Sequence, residues 1–203
     1  QGVSSVDTVL DAEATTRHIL SVQNVGFTIK DISFTNGQVS MTDSGDNRGG
    51  SFAISNNKVI TIDNSRIYGN SAYAAGVFGL NSNASTINIT NSRIYSNSAE
   101  ASGGVFASGV ISLNNCLIYA NTARSSGGVN ASVASAYFKN CKIYDNRVAG
   151  GINQTGAYSV HGTQTLINCE VYGNSANGAA AVFHRGTNTV INTLIYDNSG
   201  SAS

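Results

Sequence analysis

One phrase recurs six times along this chain: NSRIYGNS from Asn64, NSRIYSNS from Asn91, NCLIYANT from Asn115, NCKIYDNR from Asn140, NCEVYGNS from Asn168 and NTLIYDNS from Asn192. Its last Asn falls at 70, 97, 121, 146, 174 and 198, a period of 24 to 28 residues. A weaker seventh copy, DISFTNG, puts Asn36 in the same column. A repeat this short is one structural unit that cannot bury its apolar face alone, so neighbouring units must stack. Function is then expected on the surface of a stack rather than in the pocket of a globule.

Each repeat holds three short apolar runs. The first follows small residues, as at Gly76-Val77-Phe78 and Gly103-Gly104-Val105-Phe106. The second alternates with period two, as in Val59-Ile60-Thr61-Ile62 and Ile111-Ser112-Leu113. The third is the phrase itself, where Cys116, Ile118 and Asn121 take the inward positions. Alternation at period two reads as strand, and no segment carries a helical period with caps. Three strands per repeat match one coil of an all-β, single-stranded parallel β-helix, its coils spaced about 4.8 Å apart. The expected organisation is one domain over 1–203, with entry coils over 1–36, a longer insertion over 37–57 and regular coils over 58–203.

Stacking converts columns of the repeat into ladders. Asn36, Asn70, Asn97, Asn121, Asn146, Asn174 and Asn198 are expected to sit at a turn, where Asn tolerates the left-handed backbone. Each amide would bond to the same amide one coil away, which satisfies polar groups that are costly to bury bare. Cys116, Cys141 and Cys169 share a column with Ser65, Ser92 and Thr193, so that column takes a small, semi-polar side chain. A metal site or redox pair needs convergent ligands or a second spaced pair of cysteines, and the sequence offers neither.

Composition narrows the function classes. Eleven cationic residues balance 11 anionic ones, with no basic face for nucleic acid. No run of 18 apolar residues exists to span a bilayer. Scarce charge, abundant Gly, Ser and Asn, and no Pro or Trp suit short strands joined by tight turns. The same usage points to an extracellular or cell-surface location.

The paired motifs resemble the repeats of the chlamydial polymorphic outer-membrane proteins and related β-helix adhesins. Those families carry a GG-[AI] motif and an F-x-x-N motif once per coil. Here GG-V-F at Gly103 to Phe106 and I-Y-x-N at Ile118 to Asn121 stand in the corresponding places, with Ile replacing the motif Phe. The opening TVLDAEATTRHILSV looks like the entry coils of large surface β-helix proteins, so the resemblance spans roughly residues 8 to 198. It implies a right-handed coil and a structural or adhesive role at a cell surface.

Parallel β-helices also host polysaccharide lyases and glycosidases. Lyase chemistry needs a base with acidic residues that hold Ca²⁺, and hydrolysis needs two carboxylates across the sugar. The acidic residues here do not converge. Asp43 and Asp46 sit with Arg48 in the insertion, and Asp145 and Asp197 share a column but stand two coils, about 9.6 Å, apart. His18, His161 and His184 share no column. No catalytic residue, metal site or cofactor is therefore assigned. A carbohydrate-active enzyme and a carbohydrate-binding module remain as the competing classes.

Six tyrosines, Tyr68, Tyr95, Tyr119, Tyr144, Tyr172 and Tyr196, form a further column. Each follows an inward Ile or Val, so alternation points it outward, either as a binding face for sugars or proteins or as a cover over the strands. Asn83, Asn88, Asn130 and Asn153 head glycosylation sequons. Writing the tail before the head gives IYDNSGSAS-QGVSSVDTVLD, which parallels IYANTARSSGGVNASVASAYF from Ile118. Two readings fit: a segment of a longer adhesin passenger, or a subunit that stacks head to tail into a filament. The expected partners are a second copy of the chain, or a host or matrix surface glycan or protein. Neither nucleic acid nor membrane insertion is expected.

Overall fold

The computed structural model describes residues 8–14, 18–40, 49–55, 59–80, 85–100, 105, 110–124, 129–150, 158–177 and 182–200. These form a solenoid of parallel strands, with no helix among the described residues. Strands of successive repeats lie side by side, so each sheet runs along the stack. One sheet passes from Thr8–Asp11 and Ile32–Thr35 through Arg66–Tyr68, Arg93–Tyr95, Leu117–Tyr119, Lys142–Tyr144 and Glu170–Tyr172 to Leu194–Tyr196. A second begins at Phe27–Lys30 and continues through Val59–Asp63, Thr86–Thr90 and Val110–Asn114 to Val129–Lys139 and Tyr158–Ile167. A third joins Leu20–Gln23, Phe52–Ser55 and Phe78–Leu80.

Each coil also has a two-residue strand just after its ladder Asn, such as Ser71–Ala72 or Thr122–Ala123, and these form a further sheet. Two residues are too few for period-two alternation to register, so the apolar pattern does not reveal them. The stretch 37–57 contributes Gln38–Val39 and Phe52–Ser55 to these sheets.

Register puts like over like. Ile94 pairs with Ile67 and Ile118, and Ile87 with Ile60 and Ile111. The inward row of the first sheet runs Phe34, Ile67, Ile94, Ile118, Ile143 and Val171, all fully buried. Each such side chain contributes about 1.5–3 kcal/mol, and it is buried only because a coil lies on either side. At the first and last strands of this sheet among the described residues the same row opens: Leu10 is 42% exposed and Ile195 is 48% exposed.

The corners need left-handed backbone, and two columns supply it. Asn64, Asn91, Asn115, Asn140, Asn168 and Asn192 have φ of 45–55°. Gly69, Ser96, Ala120, Asp145, Gly173 and Asp197 have φ of 49–64°. The expectation that the ladder Asn itself is left-handed is corrected here. The residue before it takes that conformation, which leaves the ladder Asn free to turn its amide inward.

Candidate functional site

The inner Asn row is built as a continuous ladder. The Asn70 Nδ2 donates to the Asn97 Oδ1 at 3.0 Å, and the contact repeats from Asn97 to Asn121, Asn121 to Asn146 and Asn146 to Asn174, each at 3.0 Å. Asn174 donates to Asn198 at 2.9 Å. Each Oδ1 accepts a second bond, from the backbone N–H of the preceding ladder Asn, at 3.0–3.1 Å. Every Nδ2 also reaches a carbonyl in the coil above, as Asn121 does to the Ile94 carbonyl at 3.0 Å. Asn70, Asn97, Asn121, Asn146 and Asn174 are buried. A row this fully satisfied specifies register, because a slip of one residue would orphan several buried groups at once.

Asn36 is not a member, contrary to the expectation from DISFTNG. Thr35 pairs with Tyr68 and Gln38 with Ser71, which sets Asn36 opposite Gly69 and Gly37 opposite Asn70. The ladder ends at the Gly37 N–H, which donates to the Asn70 Oδ1 at 2.9 Å. Asn36 instead serves the left-handed corner (φ 59°), and its exposed amide donates to the Asp11 Oδ1 at 2.9 Å.

A second, outer amide row escaped the sequence reading. Asn64 donates to the Asp31 Oδ1 at 2.6 Å, Asn91 to Asp63 at 2.8 Å, Asn115 to Asn91 at 2.9 Å and Asn192 to Asn168 at 2.9 Å. Its side chains donate toward the start of the chain, whereas the inner row donates toward its end. The signal was present: the first letter of the repeated phrase is always Asn. Asp63 gathers the Thr90 hydroxyl at 2.6 Å, the Asn91 amide and Lys30 at 3.6 Å. The Thr90 hydroxyl first, then the Asn91 amide and Lys30, hold its carboxyl below the ordinary value.

The three thiols are buried and reduced, bonding mainly to local carbonyls: Cys141 donates to the Lys139 carbonyl at 3.1 Å and Cys169 to the Ile167 carbonyl at 3.3 Å. The neighbouring Cys116 thiol, together with burial, pushes Cys141 up to about 12. No group of three or more metal-ligating side chains occurs among the described residues.

The tyrosines are aligned along one axis. Successive ring centroids from Tyr68 to Tyr196 lie 4.9–5.1 Å apart, with interplanar angles of 2–10°. Each inner ring therefore has both of its faces covered by its two neighbours. A sugar cannot stack flat on Tyr95, Tyr119, Tyr144 or Tyr172, because those faces are already taken. What the row offers outward is ring edges and hydroxyls. Burial first, then the adjacent tyrosines, raise the Tyr95 and Tyr144 hydroxyls above their ordinary value, so they remain protonated donors at neutral pH. Beside this row on the same outward face run Arg66, Arg93, Leu117, Lys142, Glu170 and Leu194. Lys142 and Glu170 pair at 2.9 Å.

The other candidates are dispersed. Asn88 lies half-buried within Thr86–Thr90, while Asn83 and Asn153 and the side chain of Asn130 fall outside the described residues. Asp43, Asp46 and Arg48 also lie outside them. His18 bonds through Nδ1 to the Gly49 carbonyl at 2.6 Å, and His161 lies opposite Arg185, not His184. Asp145 and Asp197 keep Gly173 between them. Comparison with known proteins finds no matching family model, no matching curated protein and no matching solved structure.

Proposed function

We propose that this chain is a non-enzymatic structural β-solenoid of the cell exterior, a rigid rod. The observation that carries the reading is the buried inner amide row, in which Asn70, Asn97, Asn121 and Asn146 each give a backbone N–H and a side-chain Nδ2 to the Oδ1 one coil on. A ladder that is satisfied in every coil suits a load-bearing, protease-resistant element better than a catalyst. Limited proteolysis of the purified protein under native conditions tests this. The stack of coils is expected to survive intact, and rapid cleavage within the ladder-bearing coils would refute the proposal.

The edge-on tyrosine hydroxyls next to Arg66 and Arg93 favour a second, adhesive reading, in which this face meets an acidic surface glycan or protein. Glycan-array binding that disappears in a Tyr119→Ser, Tyr144→Ser variant with intact fold would support it. Unchanged binding would remove it. Residual lyase or glycosidase activity, sought on the same preparations, would overturn the non-enzymatic assignment.

A further inference from the structure

We propose that Arg66, Arg93, Tyr95 and Tyr119 form a binding strip for a linear polysaccharide carrying carboxylate or sulfate groups, which lies along the solenoid axis. This rests on the adhesive reading above and adds its ligand class, its orientation and its anchoring side chains.

The face carries its charge unevenly. Arg66 and Arg93 occupy paired positions on neighbouring strands, so two cations stand one coil, about 4.8 Å, apart. Like charges directly opposite each other disfavour the free sheet. Among the described residues neither arginine is paired with a carboxylate, whereas Lys142 is neutralised by Glu170 at 2.9 Å. Leu117 separates the two halves. The corner beside the tyrosines repeats the division: Gly69, Ser96 and Ala120 flank the arginine half, and Asp145, Gly173 and Asp197 the other. An anion is thus drawn to the first half and turned away from the second.

The tyrosines supply further donors. Tyr95 stands two residues from Arg93 on the same outward face, with Tyr119 one coil on. Both guanidinium groups act electrostatically on the Tyr95 hydroxyl, so hydroxyl and cations share one neighbourhood. The rings of Tyr68, Tyr95 and Tyr119 stack at 5.1 and 5.0 Å, which holds their hydroxyls in a row before any ligand arrives. Such preorganisation lowers the entropy cost of binding.

The step of this row selects the ligand. A pyranose ring is about as long as one coil is high, and its hydroxyl and ring oxygens accept from a phenol. An extended acidic peptide presents same-side carboxylates about every 6.8 Å, out of step with the coils. Because the inner ring faces are covered, the sugar chain meets ring edges while its anionic groups meet the arginine forks, which suit planar, bidentate pairing.

Biolayer interferometry of the immobilised chain against a polyuronate, a sulfated glycan, neutral dextran and poly-glutamate of matched length tests this. Both anionic glycans are expected to bind, more weakly as salt rises. Tighter binding of the polyuronate assigns a carboxylate, and of the sulfated glycan a sulfate, either result supporting the strip. An Arg66→Gln, Arg93→Gln variant should lose about 10-fold or more in affinity, while Lys142→Gln leaves it nearly unchanged. The arginine variant should melt no lower than the parent, since it removes a repulsion, so lost binding is not lost fold. Tyr119→Phe, which keeps the ring stack, should weaken binding without loss of stability. Dextran or poly-glutamate binding as tightly as the anionic glycans would overturn the ligand class. Full affinity in the arginine variant would overturn the strip and leave glycan adhesion standing. No binding of any polymer to the unaltered chain would remove both.

Discussion

Asn97 gives both its backbone N–H and its side-chain Nδ2 to the Oδ1 of Asn121, at 3.1 and 3.0 Å. One oxygen thus satisfies two buried donors of the coil before it, and the same arrangement is handed on to Asn146. Coil-to-coil register is written into this row more firmly than into the aliphatic rows, where a Leu or Val replaces an Ile at little cost.

Asn121→Ala should therefore be severe. It strands the Asn97 N–H and one of the two Nδ2 hydrogens, the other keeping the Ile67 carbonyl, each at about 1–3 kcal/mol, for a total on the order of 3–5 kcal/mol. Asn198→Ala, at a half-exposed position, should cost about 1 kcal/mol or less. Chemical denaturation of both variants checks the ranking, and equal losses would contradict it.

The tyrosine row should behave as a stack and not as separate contacts. Tyr119 packs between Tyr95 and Tyr144 at 5.0 and 4.9 Å. Tyr119→Ser should cost about 1–3 kcal/mol from two pairs worth about 0.5–1.5 kcal/mol each. Tyr119→Phe should be nearly neutral in stability, since it keeps both ring faces. A Phe variant as unstable as the Ser variant would show that the hydroxyl, not the stacking, matters.

Acid should loosen the outer row before the inner one. Asp63 is held below its ordinary 3.8 by the Thr90 hydroxyl, the Asn91 amide and Lys30. Its stabilising contribution is complete above that value and is lost as the pH falls through the lower folded-state value. The inner row has no titrating group and should not respond. Carboxyl chemical shifts followed by NMR should show Asp63 titrating below 3.8, and a midpoint above it would contradict the geometry.

Ala120 holds a left-handed backbone with φ of 53° in the column where Gly69 and Gly173 stand. A β-carbon there is unfavourable by about 1–2 kcal/mol. Ala120→Gly should recover part of this, raising stability by about 1 kcal/mol. Gly173→Ala should do the reverse, because Gly173 has φ of 61° and the added carbon also displaces the exposed Asp145 carboxylate. Thermal melts of the two variants should shift in opposite directions.

The buried thiols should be inert. With Cys141 pushed up to about 12 and all three sulfurs enclosed, a thiol reagent at pH 8 should modify none in the native protein and all three after denaturation. Rapid native labelling would place the column on the wrong side of the strand.

The solenoid, its coil length, the inner amide row from Asn70 to Asn198 and the tyrosine alignment were all legible in the sequence, because the repeat forces identical residues into one column. What was not legible depended on turns. Asn36 was misplaced by one residue because DISFTNG keeps the Asn but not the residue before it, and only the pairing of Thr35 with Tyr68 reveals the offset. The outer row from Asn64 to Asn192 was overlooked since an Asn opening a phrase looks like an ordinary corner residue. Ring stacking could not be read either: alternation says that Tyr119 points outward, not that its faces are consumed by Tyr95 and Tyr144.

Backbone amide exchange along the inner row tests most directly whether the amide ladder holds the stack. The N–H groups of Asn97, Asn121 and Asn146, each with its Oδ1 acceptor in place, should exchange only through global unfolding and be among the slowest in the protein. Exchange at these three positions as fast as at exposed, unbonded amides would contradict the account.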